Sequence, residues 1–281
     1  MALAGVASGA EADADEMGIG QVRALLKYRG FVWRRALTDV RHRFAGTGAG
    51  VFWNVLQPLA SILLYAVVFS QLMKSHLGQL KGPFGFTLYL CAGMLPWIAF
   101  SECMSRGTNA LVANAQFLKK LAVPEYLFIA ETAVSAGIGL AISFSLLLVF
   151  ALATGTTPTL HWLALPVPLM CFIWLGYSIS LLTGSLRVFF PDVGQLLPLV
   201  LQIAMWTAPI VYAPGAVPHA LQLVARFHPI VPAVNAMHEL FLFSTWPSSE
   251  TWIAMLAWPS AMTLFSHAVL KKLRPEIRDA I

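Results

Sequence analysis

Apolar residues in this chain gather in long runs, with polar residues confined to the short stretches between them. A helix needs about 20 apolar residues to cross the hydrocarbon core of a bilayer. Six runs reach that length, near 51–73, 86–105, 128–152, 161–186, 194–213 and 251–270. A seventh apolar stretch, about 217–243, is broken by Pro218, Pro229 and Pro232 and carries Arg226, His228, His238 and Glu239. A lipid-facing helix would not hold that many polar groups. The stretch reads as a pair of short re-entrant or interfacial helices, because broken backbone at membrane depth must be buried in protein or line water.

Ahead of the first run the pattern changes. Val22, Leu26, Trp33, Leu37, Val40 and Phe44 form a helical apolar stripe, and Arg23, Lys27, Arg34 and Arg41 take another face. A basic amphipathic helix with a tryptophan is expected to lie in the membrane surface. "GTGAG" at 46–50 then reads as a flexible hinge. Composition sharpens this picture: 58% of the 281 residues are hydrophobic and 11% charged, against about 25% charged in soluble domains. The expected fold is an all-α integral membrane protein. Residues 1–17 form a disordered cytoplasmic tail, 18–50 the interface helix and hinge, and 51–281 a six-span domain with re-entrant helices between spans five and six.

Lysine and arginine placement sets the orientation. Arg23, Lys27, Arg29, Arg34, Arg35, Arg41 and Arg43 precede the first span. Arg106, Lys119 and Lys120 lie between the second and third, Arg187 between the fourth and fifth, and Lys271, Lys272, Arg274 and Arg278 after the sixth. That puts 15 of the 18 basic residues on one side. Both termini are therefore expected in the cytoplasm. Pro191 ends the fourth helix, and Asp192 is expected to cap the fifth by accepting from free backbone N–H groups.

Chemistry-bearing motifs are scarce. The chain has no G-x-x-x-x-G-K-[ST] to cradle a nucleotide phosphate and no H-E-x-x-H, and Cys91, Cys103 and Cys171 have no metal-ligand spacing. No cofactor or metal is expected on this chain, and no nucleic-acid partner. Glu102 and Glu131, near span ends, could serve an ion- or proton-coupled carrier; paired with Arg106 or Lys119 they would be structural. A membrane enzyme handling polyprenyl lipids is a further alternative. The loop 109–129 intersperses Leu111, Val112, Phe117, Leu118 and Leu121 with Asn114, Gln116, Lys119 and Lys120, and Pro124 breaks the pattern. That is a short amphipathic helix with a face for a partner, such as a separate ATPase. Aromatics such as Phe52, Trp53, Trp206 and Tyr212 could stack on the apolar faces of sugar rings, although interfacial belts explain most such residues.

Five stretches in consistent order carry a resemblance: "YRGFVWRRALTDVRHRF", "GVFWNVLQPLASILLYAVVFSQLM", "YLCAGMLPWIAFSE", "NAQFLKKLAVPE" and "VFFPDVGQLLPLVLQIAMWTAPIVY". From about residue 25 to 245 the chain resembles the membrane subunit of bacterial polysaccharide ABC exporters, the O-antigen export permeases (Wzm), with capsule and teichoic-acid permeases as relatives. The resemblance implies a homodimer in the bacterial inner membrane, bound to two copies of a cytoplasmic ABC ATPase that hold ATP and Mg. It implies export of an undecaprenyl-diphosphate-linked polysaccharide through a channel between the two permeases. It places a coupling helix at Asn114–Glu125 (Asn114, Gln116, Phe117, Leu118, Lys119, Lys120, Pro124, Glu125) and periplasmic gate helices at 217–243 (Arg226, His228, Pro229, His238, Glu239). On that reading Arg34, Arg35, Arg41 and Arg43 attract the lipid diphosphate, at about 1 kcal/mol per charge near the surface, and Phe52, Trp53, Trp206 and Tyr212 line the sugar path. The chain departs from its relatives in having Pro191-Asp192 where they have Arg-Asp, and His228-Pro229 where they have Asn-Pro.

Overall fold

A computed structural model describes residues 27–43, 46–48, 50–72, 83–120, 123–212 and 227–280. The expected N-terminal tail, the first part of the interface helix and Arg226 lie outside the described residues.

The described chain is helical. The elements are α1 (Arg29–His42), α2 (Trp53–Leu72, after a 3-10 turn at Gly50–Phe52), α3 (Gly85–Ala113), α4 (Ala115–Lys120), α5 (Tyr126–Ala153), α6 (Pro166–Phe189, after a 3-10 turn at Leu160–Ala164), α7 (Val193–Thr207), α8 (Val231–His238, continued by a π turn at Glu239–Phe243) and α9 (Ser249–Ala280). Five helical stretches are long and apolar enough to cross a membrane: Gly50–Phe69, Gly85–Ala113, Tyr126–Ala153, Leu160–Phe189 and Ser249–Ile277.

The fifth expected span is shorter than its apolar run. α7 has 15 residues, about 22 Å at 1.5 Å per residue, against a hydrocarbon core of about 30 Å. The run was expected to reach 213, but the helix stops at Thr207, where Ala208 turns extended at ψ 142° ahead of Pro209. The ring of a following proline excludes the helical region from the preceding residue. Asp192 also differs from expectation. Its side chain makes no capping bond; its carbonyl instead accepts the Gln195 and Leu196 N–H groups. Its own helical backbone (φ −64°, ψ −23°) leaves the carboxylate outside capping geometry.

α3 is the centre of the bundle. It packs against α5 and α6, α9 packs on α6, and α2 and α7 lie against α3. The α3–α6 contact is made by small residues, which let helix backbones approach closely in a membrane. A Cβ on Gly107 would stand 2.6 Å from the Ser180 Cβ, and one on Gly184 would stand 3.1 Å from the Gly107 carbonyl oxygen. Ser180 Oγ donates to the Cys103 carbonyl at 3.2 Å, and the Thr108 and Thr183 hydroxyls bond at 2.6 Å. α1 lies against α5 through Val32, Ala36 and Val40, all buried. Between α1 and α2, Gly46 (φ 89°) and Gly50 (φ 50°) take left-handed backbone, as a hinge requires.

Candidate functional site

Two polar constellations mark opposite ends of the bundle. The first joins α1, the C-terminal part of α3, α4, the start of α5 and the end of α9. Its hub is Arg35 on α1. Arg35 Nε donates to Glu131 Oε2 on α5 at 2.6 Å, and Nη2 donates to Asn114 Oδ1 between α3 and α4 at 3.4 Å. The guanidinium also lies 5.3–5.7 Å from the ring centroids of Phe31, Phe117 and Phe128. One side chain thus ties the amphipathic helix to both α4 and a long span. A planar, delocalised guanidinium can do this; an ammonium cannot.

Behind Arg35 lies a second network. Arg43 Nη2 meets Glu102 Oε1 at 2.6 Å, and Arg106 meets Asp39 Oδ2 at 2.6 Å and Glu102 Oε1 at 3.1 Å. Ser135 Oγ on α5 accepts from Arg43 Nη2 at 3.1 Å and Arg106 Nη1 at 3.3 Å, and donates to Asp39. Burial pushes the Asp39 carboxyl up, but the hydrogen bonds from Arg106 and Ser135 and the charges of Arg106 and Arg43 outweigh it and hold it below 3.8. On the far side of α4, Glu125, 1% exposed, pairs with Arg274 of α9 at 3.1 Å.

The expected coupling segment is therefore anchored at both ends. Asn114 contacts Arg35, and Glu125 contacts Arg274. Between them, Leu118 and Pro124 are buried, while Gln116, Phe117, Lys119 and Lys120 are exposed. Of the four arginines expected to draw a lipid diphosphate, Arg35 and Arg43 are held in these ion pairs; Arg34 and Arg41 are exposed. Glu102 and Glu131 both have arginine partners. The pairing of Glu102 with Arg106 is the one the i, i+4 spacing allows; Glu131 pairs with Arg35 rather than Lys119.

The second constellation is built on Tyr89 of α3. Its hydroxyl donates to the Tyr212 carbonyl at 3.1 Å and approaches that of Pro209 at 3.3 Å. Its own carbonyl bonds His238 Nε2 of α8 at 3.0 Å, and the His238 ring stacks on the tyrosine with centroids 3.8 Å apart. His238 is 4% exposed. Its neighbour Glu239 opens the π turn, and Glu239 Oε2 is buried with no hydrogen-bond partner among the described residues. His228 Nδ1 accepts the Ile230 N–H at 3.3 Å, just after Pro229 and one turn before α8. Tyr212 Oη donates to the Trp206 carbonyl at 2.8 Å. The stretch just past α7 and the end of α8 are thus fastened to the same point of α3.

Of the expected path aromatics, Trp53 and Trp206 lie on the outer faces of α2 and α7, Phe52 is in the turn just before α2, and Tyr212 follows α7 half-buried. Phe52 is 78%, Trp206 55% and Trp53 38% exposed, beside exposed Leu63, Leu64 and Val67 on α2 and Leu199, Val200 and Ile203 on α7. Sequence reading missed Asp39, Ser135 and Tyr89. Asp39 was the one readable of the three, as a lone acid in a strongly basic helix. Ser135 and Tyr89 sit in apolar runs that give no sign of their partners.

Comparison with known proteins agrees with this architecture. Residues 31–242 match the family described as ABC-2 type transporter. Over 262 residues the chain is 22% identical to a Myxococcus xanthus protein named O-antigen export system permease protein RfbA, covering 92% of this chain and 98% of that one. A Klebsiella pneumoniae protein of the same name is 23% identical over 208 residues, 74% of this chain and 78% of that one. An Escherichia coli protein named Polysialic acid transport protein KpsM is 24% identical over 241 residues, 85% of this chain and 92% of that one. With three quarters of its length inside the family match, from the amphipathic helix through the gate segment, the chain belongs to the ABC-2 type transporter family.

Proposed function

We propose that this chain is the membrane-spanning permease subunit of an ATP-driven exporter that carries undecaprenyl-diphosphate-linked, O-antigen-type polysaccharide across the bacterial inner membrane. Two copies form a homodimer with six spans each and both termini in the cytoplasm. Two copies of a cytoplasmic ABC ATPase, holding ATP and its Mg, dock on the segment Asn114–Glu125. The names of the relatives support the substrate class.

The observation that carries the reading is the Arg35 hub. An ATPase pressing on exposed Phe117, Lys119 and Lys120 acts on a segment joined through Arg35 to α1 and α5, and through Glu125 to α9. A movement of α4 reaches α1 and α5 directly through Arg35. Exposed Arg34 and Arg41 draw the lipid diphosphate to the surface, while Arg35 and Arg43 hold the helix that displays them. Phe52, Trp53, Trp206 and Tyr212 line the polymer path with weak, repeated contacts, as conduction requires. The gate segment, including Arg226, His228, Pro229, His238 and Glu239, closes the periplasmic end. The carrier alternative would need Glu102 and Glu131 as its working carboxylates, whereas both are tied to α1 and its C-cap, through Arg43 and Arg35.

Capsule polysaccharide is the second reading for the cargo, favoured by the polysialic acid transporter among the relatives. Deletion of the gene followed by lipid extraction separates the two: undecaprenyl-linked O-antigen accumulates on the first reading, capsular polymer on the second. Affinity purification from native membranes tests the assembly. A P-loop ATPase retained by the intact chain, and lost when Phe117 and Lys119 are both changed to alanine, is the expected result; a chain purified without any ATPase would overturn it.

A further inference from the structure

A groove runs between α5 and α6 on their outer side. Both helices pack on α3, but they splay apart over a cavity of about 1040 Å³. Its floor on α5 is made of Ala133, Gly137 and Ala141, residues with little bulk, spaced along one helical face. A Cβ on Gly137 would meet only Ile173 of α6, at 3.9 Å. From Ala130 to Leu148 the groove follows 19 residues of α5, roughly 27 Å of helix. One bilayer leaflet supplies about half of the roughly 30 Å hydrocarbon core, so acyl chains fit for their full length. The outer rim is accessible: Met170 is 71% exposed.

The groove is mostly apolar, with Ser145 and Tyr177 also in its lining, and its one charged residue, Arg29, enters with Trp33 from α1. Both are exposed, and Arg29 has no ion pair among the described residues. Among the described residues, α1 makes its ion pairs along its later part, from Arg35 to Arg43. Toward its start, Tyr28 and the buried Val32 pack against the bundle. A cation and an indole at the mouth of a long apolar groove match a lipid with a negatively charged head, since the indole suits the interface and the guanidinium a phosphate.

We propose that this groove binds one anionic phospholipid, its phosphate against Arg29 and its acyl chains between α5 and α6, so that the lipid fastens the start of α1 to the bundle. A single guanidinium matches the single charge of a phosphodiester. A polyprenyl diphosphate carries more charge than Arg29 can meet. The path aromatics also lie on α2 and α7, not on this wall. The leaflet alone rests on the orientation proposed above, and lipid counting does not depend on export.

Native mass spectrometry of the full chain, purified in mild detergent with whatever ATPase accompanies it, provides the test. After delipidation, phosphatidylglycerol or phosphatidylethanolamine is added back. One phosphatidylglycerol per chain is expected to survive at energies that strip the remaining lipid. Gly137→Leu, which points bulk into the groove, is expected to lose that lipid while its melting temperature without added lipid stays unchanged. Arg29→Gln, on an exposed surface, is expected to keep binding but lose preference for the anionic head about fivefold, the ratio equivalent to one charge at a membrane surface. Equal retention by the wild type and both variants would overturn the proposal. So would a retained polyprenyl diphosphate in place of phospholipid, or an undiminished head-group preference in Arg29→Gln.

Discussion

Two walls of this molecule are both apolar enough to cross a membrane and differ in almost everything else. α3 is locked: 78% of its most apolar stretch is buried, glycines meet serines and backbone across to α6, ion pairs brace its end against α1, and Arg106 donates to Ser135 of α5. α2 is nearly free: 11% of its apolar stretch is buried, and its outer face, like that of α7, presents leucine, valine, isoleucine and tryptophan. A helix hydrophobic all round is stable in lipid without neighbours, so exposure of α2 and α7 costs the fold little. The difference teaches that α3 is held by its packing on α5 and α6, while α2 and α7 present the faces on which the proposed second copy and cargo would lie.

The largest expected effect breaks the locked wall. Gly107→Leu forces α3 from α6, because even a Cβ there lies 2.6 Å from Ser180. Overpacking of this kind costs about 1–3 kcal/mol or more; folded protein recovered from membranes should fall steeply, as fluorescence-detected gel filtration would measure. Arg35→Ala comes next. It should cost about 1–2 kcal/mol, since the pair with Glu131 is partly exposed, and reduce export at least tenfold while ATP hydrolysis by the co-purified complex continues. Arg35→Lys should not restore export, because an ammonium cannot reach Glu131, Asn114 and three rings together.

The free wall should answer in the opposite manner. Trp206→Ala is expected to shift thermal stability by no more than about 0.5 kcal/mol, as an exposed substitution does, yet lower export several-fold. Export left intact would remove α7 from the path. Tyr212 is a less clean probe, since its hydroxyl also holds the Trp206 carbonyl.

The smallest effect is one of pH. Asp39 is held below 3.8 in the folded chain, so its stabilising contribution is complete above about 3.8 and is lost as the pH falls below that value through the folded pKa. The Asp39 tie, followed by spin-label distance between the end of α1 and α3, should hold at pH 7 and pH 5 and loosen in stronger acid.

The spans were legible because lipid demands long apolar runs, and five of the six runs became helices long enough to cross a membrane. The left-handed turn ahead of α2 was legible from its glycines, and the short helix α4 from charges placed against leucines. The end of α7 was harder to see: its apolar run continues through Pro209, and only the backbone restriction before that proline shortens the helix. The role of Arg35 was not legible either. Sequence shows that Arg34, Arg35, Arg41 and Arg43 are basic, but which of them turn inward depends on helix phase and on Glu131 and Glu102, 96 and 59 positions away. Tyr89 could not be singled out, because the backbone carbonyls it gathers carry no sequence signature.

One measurement bears most directly on the permease reading. The chain is reconstituted in liposomes with and without its co-purified ATPase, supplied with lipid-linked glycan outside and ATP, and glycan reaching the lumen is counted by protection from an added glycosidase. Protection is expected only with ATPase and ATP together, and it should vanish when the ATPase is replaced by a hydrolysis-dead form. Protection by this chain alone, or driven by a proton gradient without nucleotide, would contradict the reading.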